Sequence, residues 1–172
     1  MKLVECEEDE GHCLTNTFSN TMIFPSISFT FKGCARTDQC SQDYYSTTSK
    51  DERFLQMNVA CCESDACNTA PLPQLIRGKH RPNGYVCPGF YQQNEVSYEG
   101  YGPILCYGDD TQCFSLNLNL NARSAFRSTV IAQGCTTKGA CSYPTGEIEE
   151  AHGLLHYNLT VFECQNALKI QG

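Results

Sequence analysis

The chain has 172 residues, a formal net charge of −7, 13 cysteines and no tryptophan. That length holds one or two small domains. The acidity speaks against nucleic acid and anionic membrane surfaces and favours a basic protein partner or plain solubility, and no apolar run reaches transmembrane length.

Met1-Lys2-Leu3-Val4 resembles the opening of a signal peptide, but the acids from Glu5 to Glu10 leave no apolar stretch behind it. Thirteen cysteines mark a disulfide scaffold of an oxidising compartment, and an odd count leaves at least one thiol without an internal partner. A chain of this kind without an export signal is expected to be the inner part of a longer secreted precursor. Further on, Ile27-Ser28-Phe29-Thr30-Phe31-Lys32 alternates apolar and polar residues and predicts a strand covered on one face. Another strand is predicted from Arg53 to Cys61. It leads into Cys61-Cys62-Glu63-Ser64-Asp65-Ala66-Cys67-Asn68. Adjacent cysteines do not bridge each other without straining the peptide between them. They therefore point two ways: Cys62 and Cys67 are near enough to close a small loop, and Cys61 is left to reach upstream, with Cys40 favoured. Asn68 has a side chain suited to bonding backbone groups.

Residues 71–86 carry prolines at 71, 73 and 82, followed by Asn83-Gly84, and read as an extended linker that ends in a turn. This joint has three bases and no acid, between residues 1–70 with 11 acids and 5 bases and residues 87–172 with 8 acids and 4 bases. Beyond it, Phe126 to Gln133 and Leu155 to Cys164 repeat the strand signals, the latter through Tyr157, Leu159 and Val161. The end of the chain, Phe162 to Gly172, has no hydrophobic tail, so a lipid anchor is not expected. No segment carries a helical apolar pattern. The predicted class is all-β.

Cysteines 6, 13, 34, 40 and 61 are spaced 7, 21, 6 and 21 apart, and cysteines 106, 113, 135, 141 and 164 are spaced 7, 22, 6 and 23 apart. Glycine precedes the third cysteine of both sets, at Gly33 and Gly134. The chain is therefore read as two tandem copies of one module, with no bridge crossing the joint.

Other constellations carry little chemistry. The paired spacings of zinc modules are missing, so no metal or other cofactor is expected. His152 and His156 surround Gly153 in what reads as a solvated loop, and Asp109-Asp110 reads as an exposed turn. A secreted phospholipase A2 would carry C-C-x-x-H, whereas Asp65 follows Cys61-Cys62-Glu63-Ser64, and no nucleophile stands beside a base. The expectation is a non-enzyme. Asn158-Leu159-Thr160 is the N-glycosylation sequon, with Asn158 as acceptor.

The ending C-C-x4-C-N and the cysteine spacing resemble the Ly6/uPAR family with its three-finger fold. The family's order of pairing implies Cys6–Cys34, Cys40–Cys61, Cys62–Cys67, Cys87–Cys113, Cys106–Cys135 and Cys141–Cys164. It leaves Cys13 as the free thiol, because the first copy starts inside the domain and lacks its N-terminal finger. The implied domains are a truncated first module over 1–70, the linker over 71–86 and a second module over 87–172. The second module departs from the family by lacking two cysteines of its first finger and the C-C-x4-C-N ending. This plan, entered through Pro82-Asn83-Gly84-Tyr85-Val86-Cys87-Pro88-Gly89, is similar to the secreted gamma-type phospholipase A2 inhibitors and their vertebrate Ly6/PLAUR relatives. Sodefrin-precursor-like pheromone factors share it and stand as the alternative.

The resemblance implies an extracellular binding protein that occludes a secreted phospholipase A2 or another extracellular protein, without a membrane anchor. The contacts it implies are Pro71, Leu72, Pro73 and Leu75 in the joint. Aromatics expected on the surface, Tyr44, Tyr45, Phe54, Tyr98 and Tyr101, would add to them. The basic residues from Arg77 to Arg81 depart from those inhibitors, and a free Cys13 thiol opens a route to oligomers.

Overall fold

The computed structural model describes residues 3–23, 26–40, 44–70, 81–94, 96–97, 100–121, 127–150 and 155–170. The first copy contributes β1 (His12–Asn20), β2 (Ile27–Ala35), β3 (Tyr44–Ser49) and β4 (Phe54–Cys62). The second contributes β5 (Pro82–Gln93), β6 (Val96–Ser97), β7 (Gly102–Tyr107), β8 (Asp110–Asn121) and β9 (Arg127–Thr137). It continues with β10 (Gly146–Glu150), β11 (Leu155–Asn166) and β12 (Leu168–Lys169). Helical turns among the described residues are short 3-10 segments such as Thr37–Cys40 and Lys138–Ser142. The fold is all-β, two tandem three-finger modules.

Alternation explains the strands. In β8, Leu116 and Leu118 are buried while Asn117 and Asn119 between them stay half-buried, the period-two pattern of a sheet with one face on the core. In β2, Ile27 and Phe29 turn inward while Ser28 and Thr30 are exposed. The duplication is visible as geometry: β1 pairs with β2 so that Cys13 faces Cys34, and β8 pairs with β9 so that Cys113 faces Cys135. β4 lies against β1 as β11 lies against β8. The β5–β7 hairpin of the second copy has no counterpart among the described strands of the first.

Six disulfides hold the fingers at one end, joining Cys6–Cys34, Cys40–Cys61, Cys62–Cys67, Cys87–Cys113, Cys106–Cys135 and Cys141–Cys164. Five of them close loops of 21 to 29 residues, each worth about 3 kcal/mol in the chain-entropy account. Cys13 is the free cysteine and is half-buried.

Among the described residues no disulfide links the two copies, yet they are not independent bodies. β3 pairs antiparallel with β9, Thr47 facing Thr136, Thr48 facing Cys135 and Ser49 facing Gly134. One sheet therefore runs β10-β11-β8-β9-β3-β4-β1-β2 through both modules. The outer edge of β9 is shared: Val130 to Gln133 pair with β5, and Gly134 to Thr136 pair with β3. Gly134 marks the change of partner, because a Cβ there would collide with the Thr48 carbonyl.

Hydroxyls seal this seam. Thr136 Oγ1 donates to the Ser46 carbonyl at 2.8 Å, and Thr137 Oγ1 accepts from the Ser46 N–H at 3.2 Å. Ser49 Oγ lies 2.7 Å from the Phe90 carbonyl and 2.9 Å from that of Gln133. Asp110, read from sequence as part of an exposed turn, is instead buried, and its carboxylate accepts from Thr48 Oγ1 at 3.2 Å.

The core is also shared. Met22 and Ile23 of the first copy pack among Tyr91, Phe114, Leu116, Leu118, Val130, Ala132 and Leu159 of the second. The Tyr91 hydroxyl donates to the Met22 carbonyl. Arg53 lies 5.0 Å over the Tyr91 ring and donates to the Thr21 carbonyl at 2.9 Å. The joint is shorter than its composition indicates, since residues 82–86 already run in β5. The Asn83-Gly84 turn becomes a kink in that strand, with Gly84 at φ +84° and Asn83 donating to the Gly108 and Asp110 carbonyls at 2.9 Å each.

Candidate functional site

Of the five aromatics expected on the surface, the structure leaves one fully outside. Tyr101 is 73 % exposed and stacks on Phe90 with ring centroids 4.3 Å apart. Tyr44 is half-buried, its hydroxyl 3.3 Å from Gln56 Nε2. Phe54 is half-buried at the start of β4. Tyr45 packs edge-on to Tyr143 at 6.3 Å, and burial raises its hydroxyl pKa above the usual 10.0. The reason is topological: β3 is paired on both edges, so its side chains cover a sheet instead of lining a free finger. Tyr98, Pro71, Leu72, Pro73 and Leu75 lie outside the described residues. Asn158 is half-buried in β11, between Glu147 of β10 and Asn119 of β8.

The sulfurs of Cys87, Cys106 and Cys135 converge within 4.8 Å. Each is already in a disulfide, so the cluster offers no thiolate for a metal. The Cys13 thiol lies 3.7 Å from the Ser64 carbonyl.

The more informative surface is one that no single segment announces. β12, β5 and β7 form a small antiparallel sheet in which Leu168 faces Val86 and Val86 faces Leu105. Residues directly opposite across paired strands share a face. One row down, Pro88 faces Pro103. Leu168 is 71 % exposed, Leu105 43 % and Tyr107 37 %, and Pro88 and Pro103 are exposed as well. The opposite face carries Cys87, Ile104 and Cys106 into the disulfide core. Alternation thus turns the cysteines inward and leaves an uncharged apolar stripe facing water. Contiguous apolar surface of this kind marks interaction sites.

The second feature is a cavity of about 80 Å³ between the two copies, in the curl of the shared sheet. Its walls are the inward leucines of β8, Tyr157 and Leu159 of β11, and Phe18, Leu55 and Met57 of the first copy. The leucine-asparagine alternation from Leu116 to Leu120 is the signal in the sequence that points to one wall. Nothing in a linear pattern says that β1 and β4 supply the other.

The u-PAR/Ly-6 domain family matches this chain at residues 1–70 and again at residues 85–168. The chain belongs to that family. Among its relatives, a phospholipase A2 inhibitor gamma subunit of Elaphe climacophora is 33 % identical over 136 residues, 78 % of this chain and 66 % of the relative. Another gamma subunit of the same inhibitor, from the same snake, is 26 % identical over 171 residues, covering 96 % of this chain and 79 % of the relative. Phospholipase A2 inhibitor NAI of Notechis ater is 26 % identical over 137 residues, covering 80 % and 67 %. The match to the first of these spans just under two thirds of that relative's length.

Proposed function

We propose that the protein is a secreted, extracellular inhibitor of phospholipases A2 that acts by binding and performs no catalysis of its own. The observation that carries this reading is the 33 % identity to a protein named as a phospholipase A2 inhibitor gamma subunit, over 78 % of the chain. The geometry supports a binding mode. The stripe Leu168–Val86–Leu105 supplies the dehydrated centre that protein interfaces need. The net charge of −7 favours approach of a basic partner. Inhibition then consists of covering the surface with which the enzyme meets lipid, while its catalytic residues stay chemically intact.

The test is a titration of several secreted phospholipases A2 with the full chain, following hydrolysis of phosphatidylcholine vesicles and of a monomeric short-chain substrate. Vesicle hydrolysis should fall to a plateau at saturation, with monomeric turnover less affected. Leu105→Glu should weaken inhibition at least about tenfold, because it places an unpaired charge at the centre of the contact. Full vesicle hydrolysis by every enzyme at saturating protein would sink the reading. An unchanged Leu105→Glu titration would move the contact elsewhere on the molecule.

A further inference from the structure

We propose that the cavity between the two copies is a binding site for a single hydrocarbon chain, entered tail first with the polar end left in water. No charged residue stands in its wall. Most of the polar groups that do stand there are engaged within the protein. The Tyr143 and Tyr157 hydroxyls bond each other at 2.9 Å. The Asn20 side-chain oxygen accepts the Met22 N–H at 2.8 Å, and the Thr47 hydroxyl rests 4.0 Å from the Met22 sulfur. A polar ligand entering deeply would lose its water and gain little in exchange. Water itself needs two to four polar partners, and an apolar cavity that cannot offer them stays dry. Aliphatic and aromatic walls from both modules favour methylene groups instead.

The Tyr45 hydroxyl is the wall group left open to the ligand's polar end, since among the described residues it has no hydrogen-bond partner. With no cation in the wall, an ionic headgroup has no counter-charge inside. Alcohols and carboxylates of equal tail length should therefore bind alike. This ligand is independent of phospholipase inhibition, and its test contains no enzyme. A failure here leaves the inhibitor reading standing, and the reverse holds too.

The experiment is calorimetric titration of the intact protein with n-alkyl alcohols and n-alkyl carboxylates, from hexyl to dodecyl, each below its micelle concentration. The expected result is an affinity that rises about threefold to fourfold per added methylene and then levels off once the cavity is full. Leu55→Trp, at a half-buried wall position, should weaken binding of the longer chains at least about tenfold by filling the space. Tyr45→Phe should preserve the dependence on chain length. Circular dichroism of Leu55→Trp checks that it is folded, and the wild-type chain-length series stands without it. Absence of binding at every length overturns the proposal, as does an affinity indifferent to tail length. Undiminished binding by folded Leu55→Trp also overturns it, and leaves the cavity as a seat for a partner's side chain or as an empty void.

Discussion

Tyr45 shows how one residue reports on the seam. It belongs to a strand that would be solvated on a free finger, yet it sits against Tyr143 of the other copy, and burial raises its pKa. A phenol with a raised pKa binds its proton more tightly in the folded state than in the unfolded one. Its contribution to stability is therefore complete below about pH 10 and is lost as pH rises through the higher folded value. Tyr45→Phe should show a smaller loss of stability between about pH 9 and about pH 11 than the wild type does. Urea midpoints at the two pH values measure it, and parallel losses in both proteins would mean that Tyr45 is not desolvated. Cys13 makes a different point at the same scale. Its counterpart Cys113 is buried and bridged to Cys87, while Cys13 is half-buried and unbridged, so two positions equivalent in the repeat have different chemistry.

Among the elements, β3 and β9 decide how the copies are joined. The approach of β3 to β9 depends on the missing side chain at position 134. Gly134→Ala drives a methyl group into the Thr48 carbonyl, and backbone cannot swing aside as a flexible side chain can. The cost should be about 1–3 kcal/mol. Amide hydrogen exchange at Thr47, Thr48 and Ser49 should speed up, while exchange in the β1–β2 hairpin is unchanged. Gly33 occupies the same place in the first copy, but its obstacle is the tip of the Phe31 ring at 2.6 Å, which can turn away. Gly33→Ala should therefore cost less. Equal costs at the two glycines would show that strand approach is not what position 134 protects.

For the whole molecule, the consequence of a shared sheet and a shared core is cooperativity. Met22 and Ile23 lie among side chains of the second copy, and β3 is hydrogen-bonded to both modules. Neither module can open without exposing apolar surface of the other. With its disulfides intact the protein should unfold in one calorimetric transition, with equal calorimetric and van't Hoff enthalpies. Two transitions in the wild type would restore the picture of independent modules. The same coupling holds the cavity walls, which come from both copies, at a defined separation, and keeps the β12–β5–β7 face on a rigid support.

Cysteine spacing and period-two alternation are properties of neighbours along the chain. By themselves they determined an all-β protein built of two copies, because repeated spacing needs no knowledge of what packs where. The family resemblance extended this to a set of disulfide pairs, the same six that the structure contains. Alternation also marks which residues of a strand share a face, as in Ile27 to Lys32. It does not say which face meets water, since that depends on the strand's neighbours. Tyr44 and Tyr45 read as surface aromatics until β9 arrives on the second edge of β3. Val86, Leu105 and Leu168 are unremarkable in their own segments and become one stripe only when three strands pair. The cavity has the same origin, with walls more than a hundred residues apart in the chain. Burial and adjacency at such separations are set by long-range packing, and only the tertiary structure decided them.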